Sequence, residues 1–196
     1  MENFVEFCES DLGEEIMDRE AAFIDEKLSG KSRILNVGCG IGSVEERLDM
    51  DIVGLDSSML MLEEAKGRSD KLFVHGNSGE LPFPDNSFEA VLSVTTMEFL
   101  DDFERAIDES RRVLKNGGKM LLLVLNPLST YFRNHMEKDE SYFHGFRNEP
   151  SEIESYVERY FDISSEYFLG IEDEKVFDSD DKSSAAIYVI EGVLGR

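Results

Sequence analysis

The sequence is short of cysteine, of histidine, of long apolar runs and, above all, of positive charge. Only Cys8 and Cys39 are present, too few and too casually spaced for a disulfide framework or a thiolate metal site. The three histidines, His75, His135 and His144, form no ligand cluster, so metal chemistry is not indicated. No apolar run reaches the length needed to cross a bilayer, and the opening MENFVEFCESDLGEE lacks the basic-then-apolar pattern of a secretion signal. The expected location is the cytoplasm. Against 43 Asp plus Glu stand 20 Lys plus Arg, a formal net charge of −23. Such a surface repels nucleic-acid phosphates and anionic membranes alike. A solvated, salt-tolerant surface is the reading preferred to a dedicated cationic partner.

What is present reads as one α/β domain. At 196 residues, 41% of them hydrophobic, the chain can bury a full core without staples. Residues 14–28 carry apolar side chains at helical spacing, and Ser29-Gly30 ends that helix. Short apolar strands follow at RILNV, DIVGLD, KLFVHG and SFEAVLSVT, with helices at 43–48 and in SSMLMLEEAKG, the latter closed by Gly67. DDFERAIDESRRVL is an amphipathic helix with Asp101 or Asp102 as N-cap. KMLLLVL is a continuous apolar strand of the kind buried on both faces of a parallel sheet, and it ends at Asn126-Pro127. After a less regular segment over 127–150, the spacing predicts a helix at about 152–160 opened by a capping box, Ser151-x-x-Glu154. DISSEYFLGI and AAIYVIEGV read as two antiparallel strands joined by an acidic loop.

The chemistry concentrates at ILNVGCGIGSVEERL. Gly38, Gly40 and Gly42 follow a strand and precede a helix, where glycine allows a sharp turn and close approach of a ligand to the backbone. The loop lies at the carboxyl end of a parallel strand, the ligand-binding edge of open α/β sheets. Its spacing is G-x-G-x-G, not the dinucleotide G-x-G-x-x-G. Asp56 ends the second strand, where its carboxylate can accept from both hydroxyls of a ribose. The competing role is a cap on the helix beginning near Ser58.

Four segments in order, ILNVGCGIG, IVGLDSSMLMLEEA, GNSGELPFPDNSFEAVLSVTTMEFLDD and RRVLKNGGKMLLLVLNP, resemble the class I S-adenosylmethionine-dependent methyltransferases, specifically the methyltransferase type 11 group. The resemblance runs from about residue 20 to 160. It implies a three-layer, doubly wound Rossmann-like fold whose seven-stranded, mostly parallel sheet has an antiparallel last strand. Residues 1–30 would form an N-terminal helical cap and 127–150 a lid over the substrate. The cofactor implied is S-adenosylmethionine, with S-adenosylhomocysteine as product. Gly38, Cys39, Gly40 and Gly42 would shape the loop beneath its methionine part and ribose. Asp56 would hold the ribose hydroxyls, with Ser57 beside the adenine, Asn77 and Ser78 at the adenine edge, and Thr95 at the sulfonium end. Two positions depart from the family. Asn36 stands where Asp or Glu helps hold the cofactor's ammonium group, so weaker cofactor binding is expected. Asn77 stands where Asp is common, and keeps an acceptor oxygen.

The residues themselves leave the acceptor and its atom open. A general base is needed only if the acceptor must lose a proton. The candidates are Glu98, Tyr131, His135 and His144. Glu98 lies directly past the fourth strand, with a surface acid at a helix start as its competing reading, whereas His75 is read as packing at the end of strand three. With no appended substrate domain, the expected acceptor is a small molecule, or else an exposed protein side chain, and nucleic acid and membrane are not expected. Alternatives are a non-catalytic cofactor-binding subunit of a complex, for which Asn36 argues, and a nicotinamide-dependent reductase, which the glycine spacing and the missing Tyr-x-x-x-Lys pair disfavour.

Overall fold

The apolar runs of the sequence become neighbours in one sheet. The computed structural model describes residues 2–138 and 141–195, so positions 139 and 140 of the expected lid lie outside the described residues. Two N-terminal helices, α1 (Glu2–Cys8) and α2 (Asp11–Lys27), precede β1 (Ile34–Val37), α3 (Ser43–Arg47), β2 (Ile52–Asp56), α4 (Met59–Arg68) and β3 (Leu72–His75). Then come β4 (Phe88–Val94), α5 (Phe103–Val113), β5 (Leu114–Leu125), α6 (Thr130–Met136) and α7 (Pro150–Val157), with short 3₁₀ turns at Met97–Phe99 and Tyr142–Gly145. The chain ends with β6 (Phe161–Glu172), β7 (Lys175–Phe177) and β8 (Ala185–Leu194).

The strand order is β3-β2-β1-β4-β5-β8-β6-β7. The first five strands are parallel, and β8 runs antiparallel to both β5 and β6. The doubly wound fold with its antiparallel C-terminal strands is therefore as expected. An eighth strand is added: β7, three residues inside the acidic loop, pairs with the end of β6. Strand β5 explains how the layers form. Met120, Leu122 and Val124 enter the core beneath α5 and α7, whereas Leu121, Leu123 and Leu125 enter the one packed by α2 and α3. Period-two alternation with both faces apolar is what burial on both sides of a sheet requires.

Three local expectations change. Helix α7 starts earlier, at Pro150, and its box is Glu149 with Glu152, whose carboxylate accepts from Glu149 N at 3.1 Å. Proline fits the first helical turn because its missing N–H would have no partner there. Helix α4 passes through Gly67 and stops at Arg68. His75 is exposed, its Nε2 3.0 Å from Ser57 O, and does not pack into the core.

Candidate functional site

β1 and β4 are adjacent while their connections run to opposite sides of the sheet. The crevice at the carboxyl ends of such a pair is where this architecture places ligands. The glycine loop fills one side of it, with all three glycines at positive φ: 80° at Gly38, 54° at Gly40 and 74° at Gly42. They serve different ends. A Cβ on Gly38 would stand 2.4 Å from the Thr96 side chain, and one on Gly42 would reach 3.0 Å from Ala65 and Phe73. Those two positions are bare so that the protein can pack on itself. At Gly40 a Cβ would meet nothing within 4 Å. Gly40 alone presents bare backbone to open space.

Asp56 ties this loop to the second strand. Its Oδ2 accepts from Gly40 N at 2.9 Å and its Oδ1 from Ser58 N at 2.8 Å. The helix cap proper is Ser58, whose hydroxyl accepts from Met61 N. A carboxylate has about four lone-pair directions, so each Asp56 oxygen keeps one for a ligand. Beside it, Ser57 is exposed, Ser78 is half-buried, and the Asn77 Oδ1 accepts from Gly79 N at 2.8 Å. Cys39 is buried, and burial pushes its thiol well above the usual range, so it behaves as an inert packing group.

Beneath the loop, Asn36 is 1% exposed and its Nδ2 donates to Glu45 Oε1 at 2.9 Å. Asn36 Oδ1 and Glu45 Oε2 are both buried and have no partner. Burial pushes the Glu45 carboxyl up to about 7, against the lowering effect of the Asn36 hydrogen bond. Position 36 itself carries no acid, but α3 brings one, Glu45, within hydrogen-bonding distance of it.

The opposite wall is the turn after β4. Thr95 adopts φ 42°, a left-handed conformation that costs a β-branched residue energy and that clusters at functional sites. Its N–H donates to Leu123 O at 2.7 Å, and Thr96 Oγ1 approaches Gly38 O at 3.3 Å, locking this turn onto the glycine loop. Glu98, three residues on, is 0% exposed. The surface reading of this residue is overturned. One oxygen accepts from Leu125 N at 2.8 Å, the other has no partner, and burial pushes the carboxyl up to about 7.

The remaining base candidates separate. Tyr131 is half-buried, with its ring 4.2 Å from that of His135, and burial pushes its hydroxyl up to about 12. The Nδ1 of His135 lies 2.9 Å from Tyr131 O, and burial lowers its imidazole. His144 is exposed, with Nε2 3.1 Å from Met136 O. Sequence reasoning missed Glu20 and Tyr142. Glu20 lies on the inward stripe of α2 with Gly13, Ile16 and Ile24, only 7% exposed, and an acid at that helical spacing was the available signal. Tyr142, an exposed side chain, sets its ring tilted against those of Phe99 at 4.5 Å and Phe4 of α1 at 5.9 Å, joining the first helix to the turn after β4. No group of three or more His, Cys, Asp or Glu among the described residues is arranged to hold a metal ion.

The chain resembles known proteins in sequence and in fold. Residues 35–122 match a family model described as "Methyltransferase domain". A protein of Encephalitozoon cuniculi, named a methyltransferase by inference, is 42% identical over 105 residues, 52% of this chain and 49% of that protein. The demethylmenaquinone methyltransferase of Thermotoga maritima is 38% identical over 104 residues, 50% of this chain and 45% of that enzyme. The chain spans about half the length of these curated relatives. In fold, a SAM-dependent methyltransferase of Thermotoga maritima superposes with a TM-score of 0.83 at 23% identity, covering 98% of this chain and 94% of that one.

Proposed function

We propose, from the match of residues 35–122 to a methyltransferase domain, that the chain moves a methyl group from S-adenosylmethionine to a small-molecule acceptor. The observation carrying this reading is the open space over Gly40, whose N–H is held by Asp56, in a loop that Thr96 ties to the turn after β4. The residues fit the cofactor. Gly40 offers backbone without a Cβ, Asp56 has spare acceptors for a ribose diol, and the buried Asn36–Glu45 pair places unpartnered oxygens beneath the loop. The remaining cofactor-site assignments, Ser57, Asn77, Ser78 and Thr95 included, are proposed on the same basis.

The sulfonium of the cofactor supplies an already electrophilic methyl group, so the hard chemistry is its own. The chain's task is to hold, align and dry. Alignment of two bound reactants alone can lower a barrier by about 7–11 kcal/mol. Thr95 and Thr96 fix the wall past β4, and Glu98 sets a carboxyl of raised proton affinity beside the acceptor space. The ring contacts of Tyr142 with Phe4 and Phe99, which join α1 to the turn after β4, support a lid formed by the N-terminal helices and the segment after β5. A small acceptor is supported by this modest lid and by a relative whose name gives demethylmenaquinone as what it methylates. No helix among the described residues is long and apolar enough to cross a membrane.

Titration calorimetry with S-adenosylmethionine, S-adenosylhomocysteine and NADH, on the wild type and on Asp56→Ala, tests the reading. Binding of both sulfur ligands but not NADH, lost in Asp56→Ala, is the expected result. Failure of both sulfur ligands to bind the wild type would sink it. Binding without methyl transfer to any acceptor would favour a non-catalytic subunit instead.

A further inference from the structure

Methyl transfer leaves one pocket of the molecule unused. It lies over β5, β8 and β6, whereas the glycine loop and Asp56 stand on β1 and β2, with β4 in between. The pocket has a volume of about 170 Å³ and is lined by Tyr167 of β6, Tyr188 of β8, Leu128, and Glu149, Pro150 and Glu154 at the start of α7. Its walls touch one another. The Tyr188 hydroxyl donates to Glu154 Oε1 at 2.9 Å and stands 2.8 Å from Ser165 Oγ, and the rings of Tyr167 and Tyr188 are 5.0 Å apart. Tyr167, Tyr188 and Glu154 are half-buried, and Glu149 and Leu128 are exposed at the rim.

Size and charge narrow the occupant. Sites for whole small molecules run to about 300–1,000 Å³, so this pocket has room for one long side chain only. Glu149 and Glu154 join no ion pair among the described residues. The arginine nearest in sequence, Arg147, turns instead to Asp101 at 3.4 Å. Two aromatic faces beside two free carboxylates suit a planar cation, which stacks on a ring while its N–H groups donate to the acids. Further along the same helix the protein seats its own guanidinium groups on tyrosines: Arg111 lies 4.2 Å from the Tyr160 ring centre and Arg159 lies 4.6 Å from that of Tyr156. The pocket has such rings and no arginine of its own.

We propose that this pocket receives an arginine side chain of a partner protein, its guanidinium against the Tyr167–Tyr188 pair and its N–H groups on Glu154 and Glu149. An arginine within a chain fits better than the free amino acid. Peptide bonds remove the carboxylate, which Glu149, Glu154 and the net charge of −23 would repel. Leu128, 53% exposed, offers apolar surface to the residues flanking that arginine. The acidity of the molecule by itself calls only for solvent. A cation gains a specific seat where aromatic faces and unpaired acids share one pocket.

The test follows the ring signals of Tyr167 and Tyr188 in an NMR titration of the full chain. The probes are N-acetylarginine N-methylamide and the matching citrulline compound, which keeps the shape and loses the charge. The arginine probe is expected to shift both rings and to bind about tenfold tighter than the citrulline one, the combined reach of a stacked cation and a surface ion pair. Its affinity should fall as sodium chloride is raised from about 0.02 to 0.5 M. Glu154→Gln keeps an acceptor for the Tyr188 hydroxyl and should abolish the preference, as should Tyr167→Leu, with circular dichroism checking that both fold. Unmoved tyrosine signals, equal binding of the citrulline probe, or a preference that survives in Glu154→Gln overturns the proposal. N-acetylarginine, with its free carboxylate, binding as tightly as the methylamide would give the pocket to a free metabolite and overturn the protein source. Shifts of the same rings by S-adenosylhomocysteine would overturn it by joining the pocket to the cofactor crevice. Self-association that Glu154→Gln abolishes would overturn it by giving the pocket to a second copy.

Discussion

At the scale of single residues, this protein stores polar groups where an apolar core would be more stable. Glu45 shows the cost with its sign. Its carboxyl titrates at about 7 in the folded chain against 4.5 in a free side chain. The folded chain therefore binds more protons than the unfolded one between those values, and stability falls as pH rises through that window. The penalty is absent below about pH 4.5 and fully present above about 7, where it amounts to about 3 kcal/mol. Glu45→Gln removes the charge and keeps an oxygen for the Asn36 amide. Thermal unfolding should show the variant melting above the wild type at pH 8, with the two converging near pH 5. Equal melting at pH 8 would mean that burial does not raise the Glu45 carboxyl above its free value. Gly40→Ala probes the opposite face of the loop. Its Cβ enters open space, so the fold should lose only about 1 kcal/mol from the positive φ. Calorimetry should find S-adenosylmethionine affinity reduced tenfold or more, because the methyl group occupies ligand volume.

At the scale of elements, two attachments hold the walls of the site. Gly13 lets α1 lie on α2: a Cβ there would stand 2.0 Å from the carbonyl oxygen of Phe7, a backbone atom that cannot swing aside. Gly13→Ala should push α1 off, separate Phe4 from Tyr142, and destabilise by about 1–3 kcal/mol. Limited proteolysis should then cut first between residues 1 and 10, and a variant as resistant as the wild type would contradict this. On the far side, Arg112 of α5 donates to Leu81 O and Phe83 O and pairs with Asp85 and Glu109, while Glu109 accepts from Leu81 N. The turn-rich LPFPDN segment is thus clamped to a helix that follows it. Arg112→Met should lower the denaturant midpoint by the equivalent of about 1–3 kcal/mol, the range for hydrogen bonds to charged groups.

The elements also mark where sequence was readable. Strands β1, β2, β4 and β5 were legible because apolar runs between glycine or proline breaks have few other uses, and the glycine loop because its neighbours stood in a recognisable order. The start of α7 was misplaced because two overlapping acid spacings both fit a capping box, and only Pro150 at the first turn decides between them. β7 was hidden in an acidic loop, since its pairing with β6 is a tertiary fact. Glu98 could not be read as buried, because an isolated acid belongs on the surface unless something distant in the chain covers it, and Glu20 only through its place on the inward stripe of α2. Most of the frame of the site was therefore visible, and its charged interior was not.

At the scale of the whole molecule, the net charge of −23 sets how the protein responds to its solvent. Self-repulsion among surface carboxylates destabilises the compact state, and salt screens it over about 10 Å at 0.1 M. Melting temperature should rise steadily as sodium chloride is raised from about 0.01 to 1 M. A flat or falling profile would mean that local pairs such as Arg47 with Glu14 and Asp18 dominate over the net field.

The sheet order carries a consequence for how the chain is made. β8 is the last strand in sequence yet sits between β5 and β6, bonded to Lys119–Leu125 on one side and to Phe161–Gly170 on the other. During synthesis the five parallel strands can assemble while the β5 edge, with Leu121, Leu123 and Leu125, waits without a neighbour. An open apolar edge of that kind invites pairing with other chains. A nascent chain arrested before Ala185 should therefore remain protease-sensitive and bound to chaperones, and release of the final strand should close it. The strand of this sheet that is made last is the one that turns two half-sheets into one.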